Sequence, residues 1–273
     1  MKTLQEELKK NNHKNDFTLK LIDSEIHFQN ILKECNYEFE YGTGSYLFEG
    51  KKYEYSIEMY PKQKLLYDIA SNAQNILEIG TYMGHSILIM LLANPKANIT
   101  CIDINDRYSH PSINYLKKAF PLSSINFIKG NSLDILPSLS EKFDLFHIDG
   151  SHLNHVIVKE FNFCRKISKS NKIKIIFDDI ESCLKLKKNI TSSFSISSFY
   201  EPVCKWGNCY MEIDFSNEIK KFNAENAVFK RLNFLDFLKD YFQIILKKVR
   251  RFPKKITKKK IFFRHHGSGF VLV

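Results

Sequence analysis

Short apolar runs and longer amphipathic stretches alternate from about Asn75 to Phe215. The apolar runs NILEIG (75–80), ITCIDI (99–104), INFIKG (125–130), FDLFHID (143–149) and IKIIFDD (173–179) are Ile-rich and have the length of strands. Between them HSILIMLLAN, SINYLKKAF, SLDILPSL and HVIVKEFNFCRKI have the length of crossover helices. Parallel strands need a long connection between them, so five strand-helix repeats predict a doubly wound, mostly parallel α/β sheet. SFYEPVCKW and CYMEIDF flank Gly207-Asn208 and predict a terminal antiparallel hairpin.

The flanks have a different pattern. Residues 1–60 combine a polar helix with the aromatic segment YEFEYGTGSYLFEGKKYEYS, whose Tyr and Phe alternate around glycines and read as short strands or a lid. Pro61 opens a helix, PKQKLLYDIAS, that leads into the first core strand. Near the other end Phe229, Leu232, Leu235, Leu238, Phe242, Ile245 and Val249 recur at helical spacing. The expected division is an N-terminal helix and lid over 1–60, a core over 61–215, and an amphipathic helix with a basic tail over 216–273.

Composition narrows this picture. With 44% hydrophobic residues and only 10 Gly and 7 Pro in 273 positions, disordered, collagen-like and low-complexity classes are excluded. Nothing approaches the ~20 apolar residues of a membrane span. The polar start, MKTLQEELKKNNHKND, lacks the apolar stretch of a signal peptide, so the expected compartment is the cytoplasm. Six cysteines show no CxxC pair and read as reduced thiols, with Cys204 and Cys209 packing in the hairpin. The net charge of +11 sits mostly in KKVRRFPKKITKKKIFFR, where ten basic residues and no acidic one leave +1 for the rest. Nucleic acid is disfavoured by that near-neutral body. The segment 229–264 reads first as a helix packed on its own domain or on a second copy in a homo-oligomer, then as a peripheral contact with anionic membrane.

In an open α/β sheet a ligand sits beyond the carboxyl end of the first strand, where strand order reverses. Here that place reads LEIGTYMGHS. Gly80 and Gly84 permit a tight turn and close approach of backbone, while GTYMGHS departs from the GxGxxG of a dinucleotide site. Asp103 ends the second strand, where a carboxylate accepts hydrogen bonds from a ribose diol. The later strands end in Asp149 and in Asp178-Asp179. Three carboxylates at neighbouring strand ends suit one hard cation, magnesium or manganese. The alternative is that Asp149 or Asp179 caps the following helix.

Glu78-Ile-Gly80-Thr-Tyr82-Met-Gly84-His-Ser86, then Asp103, then Gly130-Asn131-Ser132-Leu133-Asp134, resembles class I S-adenosylmethionine-dependent O-methyltransferases of the metal-dependent catechol and sugar type. The resemblance covers about residues 61–215 and implies a Rossmann-like fold. It implies that Glu78, Gly80, Tyr82, Gly84 and Ser86 hold the methionine part of S-adenosyl-L-methionine, Asp103 the ribose, and Ser132 the region of the adenine. It also implies that Asp149, Asp178 and Asp179 bind the metal, and that His152, three residues past Asp149, is the base that deprotonates the methyl acceptor. Leu133 departs from the polar residue of the catechol enzymes, and SKSNK replaces Pro-Gly-Gly before the fifth strand.

The expected activity is methyl transfer to a hydroxyl of a sugar, glycan or other small molecule. An RNA methyltransferase guided by the tail, or a non-catalytic interaction protein on the same fold, are the alternatives. His147, alternating inside a strand, is expected to be packed.

Overall fold

The computed structural model describes residues 4–10, 15–178, 184–202, 208–219 and 222, with two-residue strands at 265–266 and 269–270. Asp179, Cys204 and the whole amphipathic helix with its basic tail, 229–264, lie outside the described residues. Three helices come first: α1 (Leu4–Lys10), α2 (Asp16–Asp23) and α3 (Glu25–Glu34). Then follow α4 (Tyr60–Ala70), β1 (Asn75–Ile79), α5 (His85–Ala93), β2 (Asn98–Asp103), α6 (Asp106–Ala119) and β3 (Ser124–Lys129). The chain continues through α7 (Ser132–Ile135), β4 (Leu145–Ile148), α8 (Asn154–Lys166), β5 (Lys172–Asp178), α9 (Leu184–Ser193), β6 (Phe194–Tyr200) and β7 (Asn208–Glu218).

Seven strands form one sheet in the order β3-β2-β1-β4-β5-β7-β6. The first five are parallel, and β7 runs antiparallel to both β5 and β6. The expected terminal hairpin is therefore present, although it starts at Phe194, straight out of α9. Strand order reverses between β1 and β4, which places a crevice beyond their carboxyl ends.

Strand alternation divides the interior in two. Ile76 of β1 and Leu145 of β4 pack under α2–α6, whereas Leu77, Ile79, Phe146 and Ile148 pack against α8 and α9. A buried strand side chain transfers about 1.5–3 kcal/mol from water, so this arrangement pins the register of every central strand. Glu78 and His147 are partners in that register and are both fully buried.

Four expectations need correction. The N-terminal region holds three short helices in place of one, because Asn15 caps α2 by accepting from the Thr18 amide, and Ser24 breaks the run before α3. The aromatic segment contains no strand; it folds as turns, with Tyr46 and Phe48 fully buried. Helix α6 starts six residues before SINYLKKAF, at Asp106, capped by the Asn105 side chain, and it carries Pro111 within it. SLDILPSL forms one turn of α-helix followed by a 3₁₀ turn over Leu136–Ser138. No helix among the described residues is long and apolar enough to cross a membrane.

Candidate functional site

The carboxyl ends of β1 to β5 open into a cavity of about 720 Å³, walled on the far side by residues 40–45 of the aromatic segment. That volume lies in the range of small-molecule and cofactor pockets, ~300–1,000 Å³. Of the expected ligand residues, Gly80, Tyr82, Asp103, Ser132, Asp149, His152 and Asp178 line it.

Gly80 and Asp103 build the floor. Gly80 sits at φ +91°, and a Cβ there would lie 2.3 Å from the Asp149 carbonyl oxygen, so only glycine lets the β1 loop pass against the β4 loop. The Gly80 amide donates to Ile102 and the Asp149 amide to Ile79, which carries the sheet ladder one step past the strands. Asp103 then holds the turn: Oδ2 accepts from the amides of Thr81 (2.9 Å) and Tyr82 (2.7 Å), and Oδ1 from Asn105 (2.9 Å). Tyr82 is forced to φ +47°, an uncommon conformation for a bulky residue and a mark of a constrained site. Its hydroxyl accepts from the Glu40 amide at 2.8 Å and joins the turn to the aromatic segment.

Glu78, Gly84 and Ser86 are placed differently from the expectation. None of them lines the cavity. Strand alternation aims Glu78 towards α5, where its Oε1 accepts from Ser86 Oγ (2.5 Å) and from His147 Nδ1 (3.0 Å). His147 Nε2 lies 2.8 Å from the Tyr46 hydroxyl, which also accepts from Asn208 Nδ2 at 2.7 Å. The tautomer follows from the network: Nδ1–H donates to the carboxylate, and Nε2 accepts the Tyr46 proton. Gly84, at φ +69°, starts α5 and packs against Leu116.

His85, within the glycine motif, fastens the same wall from another side. Tyr53 gives its single hydroxyl proton to the Phe28 carbonyl at 2.7 Å, so His85 Nε2–H donates to Tyr53 (2.9 Å) and His85 Nδ1 accepts from Ser45 (2.7 Å). Burial holds this imidazole neutral, with its pKa pushed down to about 3. The sequence reading missed His85 because its partners are 32 and 40 residues away.

The acidic end is organised around a residue the motifs did not indicate. Lys62, on the first turn of α4, places Nζ 3.4 and 3.3 Å from the two Asp178 oxygens, and both side chains are only 5–6% exposed. The same ammonium lies 4.4 Å from the centre of the Tyr46 ring. Carboxylate oxygens suit a hard divalent ion, but Asp178 already has its counter-charge. Among the described residues no three His, Cys, Asp or Glu side chains are grouped to hold a metal. Asp179, the third expected carboxylate, lies outside the described residues, so the described part of the expected set is Asp149 and Asp178, with the Lys62 ammonium on the second. Asp149 does not cap a helix either, since the residue before α8 is Leu153, with no side-chain cap. His152 lies in the loop ahead of α8 and lines the cavity.

Residues 77–180 match the profile of a family described as a methyltransferase domain. Tapetum-specific methyltransferase 1 of Arabidopsis thaliana is 32% identical over 94 residues, covering 33% of this chain and 40% of that protein. Caffeoyl-CoA O-methyltransferase 1 of Eucalyptus globulus is 33% identical over 91 residues, covering 31% and 37%. The chain spans less than half the length of the curated relatives it matches. A solved O-methyltransferase from Bacillus cereus in complex with SAH superposes with a TM-score of 0.54 at 16% identity, over 76% of this chain and 96% of that one, a likeness of fold.

Proposed function

We propose that the protein is an S-adenosylmethionine-dependent O-methyltransferase, a reading supported by the match of residues 77–180 to a methyltransferase-domain profile and by the likeness of fold to a solved O-methyltransferase. The observation that carries this reading is Asp103. It ends β2 at the switch point, holds the Thr81 and Tyr82 amides of the glycine turn on Oδ2 and the Asn105 amide on Oδ1, and borders the cavity, where Oδ1 keeps a lone pair to accept from a ribose hydroxyl. When bound, the cofactor supplies an activated methyl group on a sulfonium.

What the chain adds is positioning and a proton acceptor. His152 takes the proton of the acceptor hydroxyl, so that the oxygen can form its bond to the methyl carbon as the carbon–sulfur bond breaks. Lys62 and Asp149 border the same space and set its charge. We assign the acceptor to a sugar, glycan or other small molecule, held in the part of the cavity that residues 40–45 line. A divalent ion, if bound, would be held by Asp149 and Asp178 and would lower the pKa of the acceptor hydroxyl.

Calorimetry with S-adenosylhomocysteine tests the reading. Binding should be measurable and should weaken about 10- to 100-fold in Asp103→Ala, through the loss of one hydrogen bond to a charged acceptor, worth about 1.5–3 kcal/mol. NAD binding with none for either adenosyl ligand would overturn it.

A further inference from the structure

Glu160 is a charged residue near the middle of α8, yet its side chain is wholly buried. One carboxyl oxygen, Oε1, accepts from Ser132 Oγ at 2.6 Å. The other, Oε2, has no hydrogen-bond partner in the protein. Both residues line the cavity, together with Leu133 and Val156. A buried carboxyl oxygen without a donor is costly, about 1–3 kcal/mol or more, so an orphan bordering a ligand cavity calls for a donor on the ligand.

The surroundings define that donor. Leu133 and Val156 offer apolar walls to a flat ring, and Asp103, at the neighbouring strand end, suits a ribose. At position 133 of the β3 loop Leu presents no polar group to a base, and the neighbouring Ser132 hydroxyl is given to Glu160. We propose that Glu160 is the residue that recognises the adenine of the cofactor, its Oε2 accepting a proton of the exocyclic 6-amino group. This rests on the cofactor reading above.

Burial raises the Glu160 pKa to about 7, and the Ser132 hydrogen bond only partly offsets the rise. A share of the molecules therefore carries a protonated carboxyl near neutrality, which can donate to ring N1 while accepting from the amino group. The ionised form, whose Oε2 can only accept, is repelled by a carbonyl at position 6; the protonated form discriminates less, because its proton can be given to that carbonyl. The selectivity is for 6-aminopurine.

Calorimetry with two probes tests this: S-adenosylhomocysteine and S-inosylhomocysteine, identical except for amino against carbonyl at position 6. At about pH 8.5, where Glu160 is ionised, the wild-type chain should prefer the adenosyl compound by at least about 30-fold, which is about 2 kcal/mol for one buried hydrogen bond exchanged for two facing acceptors. Glu160→Gln keeps the shape and can turn its amide to donate or accept; it should hold the adenosyl compound within about 5-fold and cut the preference to a few-fold. Glu160→Leu should weaken the adenosyl compound by more than 10-fold while the thermal transition shows the variant folded. Equal preference in wild type and Glu160→Gln would overturn the assignment and leave Oε2 to a buried water. Binding of neither probe by the wild-type chain would instead bring down the cofactor reading, and this one with it.

Discussion

Removing the Lys62 ammonium should cost far more than a lysine usually contributes. At 3.3 Å, with an effective dielectric constant of about 20, the attraction to Asp178 is about 5 kcal/mol. Surface screening does not apply, since both side chains are 5–6% exposed. Lys62→Met keeps the stem volume and leaves Asp178 as an uncompensated buried charge, so unfolding in urea should show a loss of about 3–5 kcal/mol. Asp178→Asn should lose a similar amount. The double variant should recover much of it, because no lone charge remains, and the cycle should give a coupling of at least about 2 kcal/mol. Single-variant losses below about 1 kcal/mol, or strictly additive losses, would refute the pair. The same variants address the ion. Magnesium should leave the wild-type transition unmoved and stabilise Lys62→Met, by about 2.7 kcal/mol at a hundredfold excess over its dissociation constant. Stabilisation of the wild type by magnesium would show that the ion displaces the ammonium, and chelation should then abolish turnover.

Three other outcomes follow from single residues. Gly80→Ala should destabilise the chain by at least about 2 kcal/mol in urea melts, from positive φ and the clash with the Asp149 carbonyl; a loss under about 0.5 kcal/mol would contradict the close approach. His152→Ala should lower the maximal rate by about 10² to 10⁴ with unchanged affinity for S-adenosylhomocysteine, and an unimpaired rate would remove it as the base. Glu160 has its pKa raised from 4.5 to about 7, so between those values the folded state binds more protons than the unfolded one, and stability falls as pH rises through that window and levels off above it. The fall should amount to about 3 kcal/mol and vanish in Glu160→Gln; equal pH slopes in the two chains would show that Glu160 is not buried as a carboxylic acid.

Strand ends carried most of what could be read in advance. Gly80, Asp103, Asp149 and Asp178 follow apolar runs of period two, and a parallel sheet must bring such ends to one edge whatever the loops do. The five parallel strands and the crevice were therefore legible, and so was the packing of His147, which alternation places indoors. The start of α6 was not, because Pro111 looks like a boundary until Asn105 is seen capping the helix ahead of it.

Only the tertiary structure decided what each charge meets. Glu78 has the motif spacing of a ligand contact, but the pleat turns it from the crevice to Ser86 and His147. Nothing in the sequence singles out Lys62 or Glu160, since a helix pattern gives the face of a residue but not what packs over it. Their partners lie 116 and 28 residues away in the chain. The apolar period of a segment fixes its own geometry locally, whereas the burial of a charge depends on elements that meet only when the sheet has closed.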